Sequence, residues 1–192
     1  MGLNGMTANE MQVILTLLKK PQHSFSANSL SKVLLLSPMG THKIAKKLER
    51  EGIITKQLIG KSHILKIRDT TKYNNALLTF LLEREKQSAK PYTKAWIQNL
   101  DKIKNTSISI LFGSILKTNQ ANDIDVLFVT NNLEKLTEEL KELQLTSNKI
   151  IHPIIQSEAD FKRNIQKQDP AILCAIQGMV LKGIPQYLEA II

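Results

Sequence analysis

Asp123 and Asp125 alternate with Ile124 and Val126 in a run that reads as a β-strand. A spacing of two sends both carboxylates to one face, about 7 Å apart along the chain. Two hard oxygen donors facing one way form a platform for Mg²⁺. Such an ion bridges phosphate oxygens and stabilises the charge that develops in nucleotidyl transfer. Upstream, Gly113-Ser114 falls where a strand is expected to turn into a helix. Backbone N–H groups and the Ser114 hydroxyl can meet a nucleoside triphosphate there, and a glycine allows close approach.

The stretch from Leu111 to Val129 resembles the signature of the nucleotidyltransferase superfamily that includes DNA polymerase β, and within it the minimal nucleotidyltransferases of prokaryotes. That signature is a Gly-Ser, a gap, then an Asp-x-Asp pair followed by apolar residues, and Gly113, Ser114, Asp123 and Asp125 match it. The resemblance implies catalytic and metal-binding roles for Asp123 and Asp125 and nucleotide binding at Gly113, Ser114 and Lys117. Two departures stand out. Lys117-Thr118 occupies the place where many members carry a further glycine. The strand expected to supply a third carboxylate, Lys149–Ile155, has no acid, and His152 stands where one is expected. Glu158 and Asp160 follow shortly after, but Ser157 with Asp160 reads as a helix cap. A histidine beside a proline, as His152 is, often only fills space. With two carboxylates, nucleotide and Mg²⁺ can bind while transfer is slow or absent. Cys174, between Leu173 and Ala175, reads as a packing residue. No zinc-ligand spacing, Walker loop or dinucleotide fingerprint is present.

The elements that position these groups form a small α/β unit. Strands are expected at 107–112, 123–130 and 149–155, an amphipathic helix at 133–145, and further helices from Glu158 and from Pro170, where Asp169 caps. The preceding chain is mainly helical over 70–100, with Leu77, Leu78, Leu81 and Leu82 as a narrow stripe and a break at Pro91. This reads as a connector and as a dimer contact.

The first third has a different texture. Thr7-Ala-Asn-Glu10 is a capping box that opens a helix with apolar Met11, Ile14, Leu15 and Leu18, ended by Pro21. A short second helix from Ser26 presents Leu30, Val33 and Leu34. Ser37 caps a third with Pro38 at its first position, a buried stripe of Ile44, Ala45 and Leu48, and Gly52 as its C-terminal stop. Runs 53–58 and 63–67, joined by Ile59-Gly60-Lys61-Ser62, read as a hairpin. Three helices and a hairpin in this order are those of a winged helix-turn-helix. The stretch 41–54, with its lysines, leucine, glutamate, glycine and two isoleucines, resembles the third helix and first wing strand of prokaryotic winged-helix transcription regulators. The expected DNA contacts are Thr41, His42, Lys43, Lys46, Lys47 and Arg50 on the third helix, with Lys61 on the wing.

Charge follows the same division. Residues 1–69 carry 11 Lys/Arg against 4 Asp/Glu, a net of +7; residues 70–105 carry 7 against 3, a net of +4; residues 106–192 carry 8 against 10, a net of −2. The overall +9 therefore belongs to the first half, which favours an acidic partner such as nucleic acid. At 42% hydrophobic and 22% charged residues, with no apolar run near the ~20 residues that span a bilayer, no membrane partner is expected. The single cysteine and the absence of an export pattern in the first residues fit a cytoplasmic protein.

The expected fold class is α+β: a winged helix-turn-helix over 1–69, a helical connector over 70–105, and a nucleotidyltransferase-like domain with a short mixed sheet over 106–192. The function expected is a transcriptional regulator that binds double-stranded DNA and whose second domain binds a nucleotide with Mg²⁺. A homodimer would set two recognition helices about 34–36 Å apart for a palindromic site. The alternatives are a Mg²⁺-dependent enzyme that transfers a nucleotide, AMP foremost, to a protein or nucleic acid, as antitoxins do to a partner toxin, and a winged helix used for protein contacts beside an inert second domain.

Overall fold

A computed structural model describes residues 5–68 and 71–192. It divides into two compact units, Met1–Leu81 together with Ile192, and Leu82–Ile191. The expected domain boundary at Asp69 and Thr70 lies outside the described residues. The architecture is mixed α and β, with a two-stranded sheet in the first unit and a four-stranded sheet in the second.

The first unit contains α1 (Ala8–Lys19), α2 (Ala27–Leu34), α3 (Pro38–Arg50) and a hairpin of β1 (Ile54–Ile59) and β2 (Ser62–Ile67). Each helix starts where a side chain can satisfy the free N–H groups of its first turn. Thr7 and Glu10 form the reciprocal capping box of α1, Ser26 and Ser29 form one for α2, and Ser37 accepts from Gly40 with Pro38 in the first turn of α3. Gly52, at φ +72°, ends α3; its N–H bonds the Glu49 carbonyl and that of Ile53 bonds the Leu48 carbonyl. Antiparallel pairing from Ile54↔Ile67 to Ile59↔Ser62 leaves Gly60 and Lys61 as the two-residue turn. Phe25 adds a bridge to Leu65, so a third short strand flanks the hairpin. This is the layout of a winged helix-turn-helix.

The buried faces differ in detail from the expected stripes. In α1 the core residues are Val13, Ile14, Leu17 and Leu18, while Met11 and Leu15 are only half-buried. In α2, Val33 is exposed and Leu30 carries the packing. In α3, Thr41 joins Ala45 and Leu48 inside, and Ile44 is half-buried. Each stripe is turned by about one position because the neighbouring helices, not the periodicity alone, choose the arc that is covered.

The 70–105 stretch is not a separate connector. α4 (Lys72–Gln87) is shared between the two units, and α5 (Pro91–Leu100) belongs to the core of the second, where Trp96, Ile97 and Leu100 pack with Ile124, Val126 and Phe128. The leucines of α4, Leu77, Leu78, Leu81 and Leu82, are all buried within the chain. They leave no surface for the dimer contact expected of them.

In the second unit, β3 (Ile108–Phe112), β4 (Asp123–Val129), β5 (Ile150–Gln156) and β6 (Met179–Lys182) are ordered β5-β4-β3-β6. β4 is parallel to β5 and antiparallel to β3, and β3 is antiparallel to β6. α6 (Leu133–Leu145) provides the crossover from β4 to β5, and α7 (Glu158–Gln166), α8 (Pro170–Ala175) and α9 (Ile184–Ile191) complete the unit. A single 3₁₀ turn, Gly113–Leu116, follows β3 in place of the expected helix. β6 was not expected; its four residues sit between Gly178 and Gly183. Those glycines are its sequence signal, since a Cβ on either would lie 2.4 Å or less from a backbone oxygen of Leu111 or Ser107. Cys174 is exposed rather than packed, because α8 buries Ile172 and Ala175 instead.

Candidate functional site

Two groups of side chains meet the chemical expectations, one in each unit.

On α3 the buried residues Thr41, Ala45 and Leu48 define one side. At 100° per residue, Met39, His42, Lys43, Lys46 and Arg50 fall within an arc of roughly 100° on the opposite side. All five are exposed. Lys43, Lys46 and Arg50 enter no ion pair among the described residues, and Lys61 is exposed at the tip of the hairpin. A cleft of ≈ 490 Å³ runs between α2, α3 and the hairpin, its polar lining including Asn28, His42, Lys56, Lys61 and His63. His42 Nε2 lies 3.0 Å from the Asn28 Oδ1, which fixes the ring against α2.

Two residues expected on this face have other tasks. Thr41 is 0% exposed, and its hydroxyl donates to the Ser37 carbonyl, so it cannot reach a groove. The Lys47 ammonium donates to Glu10 at 2.8 Å, fastening α3 to the start of α1. Burial pushes the Glu10 carboxyl upward, but the bonds from Lys47 and from the Thr7 backbone outweigh it and leave its pKa below the ordinary value. Glu10 is the residue that sequence reasoning missed here. Its place in the capping box was legible, and its contact with a lysine 37 positions away was not.

In the second unit, β4 sends Ile124, Val126 and Phe128 into the core beside α5 and α6, and Asp123, Asp125, Leu127 and Val129 to the other face. Leu127 and Val129 are fully buried, whereas Asp123 and Asp125 are partly exposed. The carboxylates thus occupy the open end of a face that is otherwise covered. Across the antiparallel pair Phe112 lies opposite Asp125, which brings Gly113 beside it. Gly113 has φ +80°, and a Cβ there would lie 2.0 Å from Asp125 Oδ2, so the carboxylate fills the space that a side chain would need. Thr93 Oγ1 on α5 donates to the Ile115 carbonyl and holds the 3₁₀ turn. Ser114 is half-buried next to Gly113, and Lys117 is exposed at the end of the turn.

Across the parallel pair, Asp125 is in register with His152. Asp123, Asp125 and His152 each offer a donor atom within 4.8 Å of the others, with His152 Nδ1 4.0 Å from Asp123 Oδ2. The His152 side chain is 55% exposed, so it fills no space in a core; it faces the carboxylates. Glu158 and Asp160 cannot join them. In the β4–β5 register Ile150 lies beside Asp123 and Gln156 beside Val129, which puts Glu158 past the far end of the sheet, roughly 20 Å away by strand rise. Asp160 is engaged with Ser157 as the α7 cap. Burial, then the charge of Asp123, raise the Asp125 carboxyl above its ordinary pKa, and His152 partly offsets them. The set of two carboxylates and an imidazole does not match the all-oxygen octahedron that Mg²⁺ prefers.

No protein-family profile matches the chain, and no curated protein matches it. A crystal structure of MepR, a transcription regulator of the Staphylococcus aureus multidrug efflux pump MepA, is similar over 52% of this chain and 78% of that one, at 19% identity and a TM-score of 0.37. The winged-helix layout of the first unit stands on its own element order and hairpin. Among the described residues no helix is long and apolar enough to cross a membrane.

Proposed function

We propose that this chain is a transcriptional regulator that binds double-stranded DNA, laying α3 in the major groove with the β1–β2 hairpin beside it. The observation that carries this reading is the arc of His42, Lys43, Lys46 and Arg50, exposed and opposite the buried face of α3, with Lys61 on the wing. A helix presented this way can reach base edges with its first turns while lysines and arginine meet phosphates. Footprinting and fluorescence anisotropy on duplexes from the protein's own upstream region test it. Salt-sensitive binding is expected, weakened at least tenfold by combined Lys43→Ala, Lys46→Ala and Arg50→Ala. No binding to any duplex at low salt rejects it.

The second unit is proposed to hold a nucleoside triphosphate with a divalent cation and so to condition the DNA affinity. Gly113 and Ser114 would meet the phosphates, with Lys117 nearby in sequence, and Asp123 and Asp125 would hold the cation. The support is the packing of Gly113 directly against Asp125. The same observation favours a second reading, transfer of a nucleotide to a hydroxyl of a protein or nucleic acid, with a partner toxin as one acceptor. Incubation with α-labelled nucleotides and Mg²⁺ or Mn²⁺ separates the two. Label that persists after Asp123→Asn with Asp125→Asn rejects this site as its source.

A further inference from the structure

We propose that Asp123, Asp125 and His152 form a mixed carboxylate–imidazole site that selects a first-row transition dication, such as Zn²⁺ or Co²⁺, over Mg²⁺. The inference rests on the reading of the second unit as a divalent-cation and triphosphate site, and it names the kind of cation.

The donors come from two adjacent parallel strands in register, Asp125 beside His152, with Asp123 two residues earlier on the same face. Sheet hydrogen bonding therefore places all three, and no loop has to be ordered to assemble them. Metal–ligand lengths of about 2.0–2.2 Å put neighbouring ligand atoms roughly 3.0–3.5 Å apart. The present separations, within 4.8 Å, close to that range by side-chain rotation, for which a histidine 55% exposed and an aspartate 41% exposed have room. Charge points the same way. The chain carries +9, yet among the described residues neither aspartate pairs with a lysine or arginine, and His152 is the only basic group within 4.0 Å. Two adjacent carboxylates left uncompensated in a basic protein invite a cation.

His152 decides which cation. Mg²⁺ takes oxygen donors in a near-ideal octahedron and gives up water reluctantly. Imidazole nitrogen suits Zn²⁺, Co²⁺ and their neighbours, whose affinities for N/O sites also rise along the first row. Three protein ligands at an open surface leave further positions for water or a phosphate oxygen.

The test measures Zn²⁺ and Mg²⁺ binding to the full-length protein by competition with a chromophoric chelator at fixed pH, with Co²⁺ absorption as a second readout. Wild type is expected to prefer Zn²⁺ by about 100-fold or more. His152→Ala should lower Zn²⁺ affinity at least tenfold, remove the visible Co²⁺ bands and leave Mg²⁺ binding within a few-fold. His152→Asp, which converts the set to oxygen donors, should move the preference toward Mg²⁺. Unchanged circular dichroism and melting in both variants excludes misfolding as the cause. A Zn²⁺:Mg²⁺ ratio that His152→Ala leaves at the wild-type value overturns the proposal, as does Zn²⁺ binding retained in Asp123→Asn with Asp125→Asn. Triphosphate binding is followed in parallel. If it is lost while selective Zn²⁺ binding persists, the triphosphate reading falls and this inference stands. If it persists while His152 has no effect on the ratio, the reverse holds.

Discussion

At Gly113 the backbone and a carboxylate compete for one volume. With φ +80° and a hypothetical Cβ 2.0 Å from Asp125 Oδ2, Gly113→Ala incurs both left-handed strain and a collision. Urea denaturation should show a loss of about 2–3 kcal/mol. In an Asp125→Ala background the collision is gone and only the strain remains, so the cost should fall by about 1 kcal/mol or more; strictly additive effects would contradict the contact. Glu10 allows a second prediction. Its pKa lies below the ordinary 4.5, so its contribution to stability is present above that value and disappears as pH falls through the lower, folded-state value. Glu10→Gln should cost about 1–2 kcal/mol at neutral pH, since the carboxylate is buried and bonds both Lys47 and the Thr7 N–H. Chemical denaturation from pH 7 down to about 3 should show the difference between the two proteins shrinking as acid is added. A difference independent of pH would remove the charge from the explanation.

At the scale of elements, the turn between α2 and α3 contains Leu35 at φ +54°, 91% exposed. A leucine in the left-handed region carries strain with no burial to offset it, so Leu35→Gly should stabilise the protein by roughly 0.5–1 kcal/mol in thermal or urea unfolding. A destabilised variant would mean that the side chain is covered in solution, since no apolar contact accounts for it here. The turn also explains why α3 was readily located. Ser37 and Pro38 restart the helix immediately after the left-handed residue, and the signals are local. α5 is the opposite case. Pro91 announced its beginning, but its assignment to a connector failed because Trp96, Ile97 and Leu100 find their partners on β4 and α6, far along the chain.

At the scale of the molecule, the uneven charge makes a measurable claim about salt. If Lys43, Lys46, Arg50 and Lys61 each neutralise one phosphate, four counterions are displaced, and log Kd should rise against log salt with a slope of about 3.6. A fourfold increase in salt then weakens binding by roughly 150-fold. Lys47→Ala should leave the slope unchanged, because its ammonium is held by Glu10, whereas Lys46→Ala should lower it by about 1. Anisotropy titrations at several salt concentrations distinguish these outcomes, and equal effects of the two variants would contradict the division made here.

Local rules determined much of this protein from its sequence alone: the caps at Thr7, Ser26, Ser37, Ser157 and Asp169, the stop at Gly52, the two-residue hairpin turn, and the alternation that sends Asp123 and Asp125 to one face. Each depends on residues at most a few positions apart, so spacing suffices. Tertiary structure decided what distance in sequence conceals. It turned Thr41 inward, gave Lys47 to Glu10, hid the leucines of α4 and moved Glu158 beyond the far end of the sheet. It also paired β4 with β5 in the one register that sets His152 beside the two aspartates. Parallel pairing across a helical crossover has no local signature, because the side-chain period of two leaves several registers compatible with the same apolar pattern, and only packing of the whole sheet selects among them.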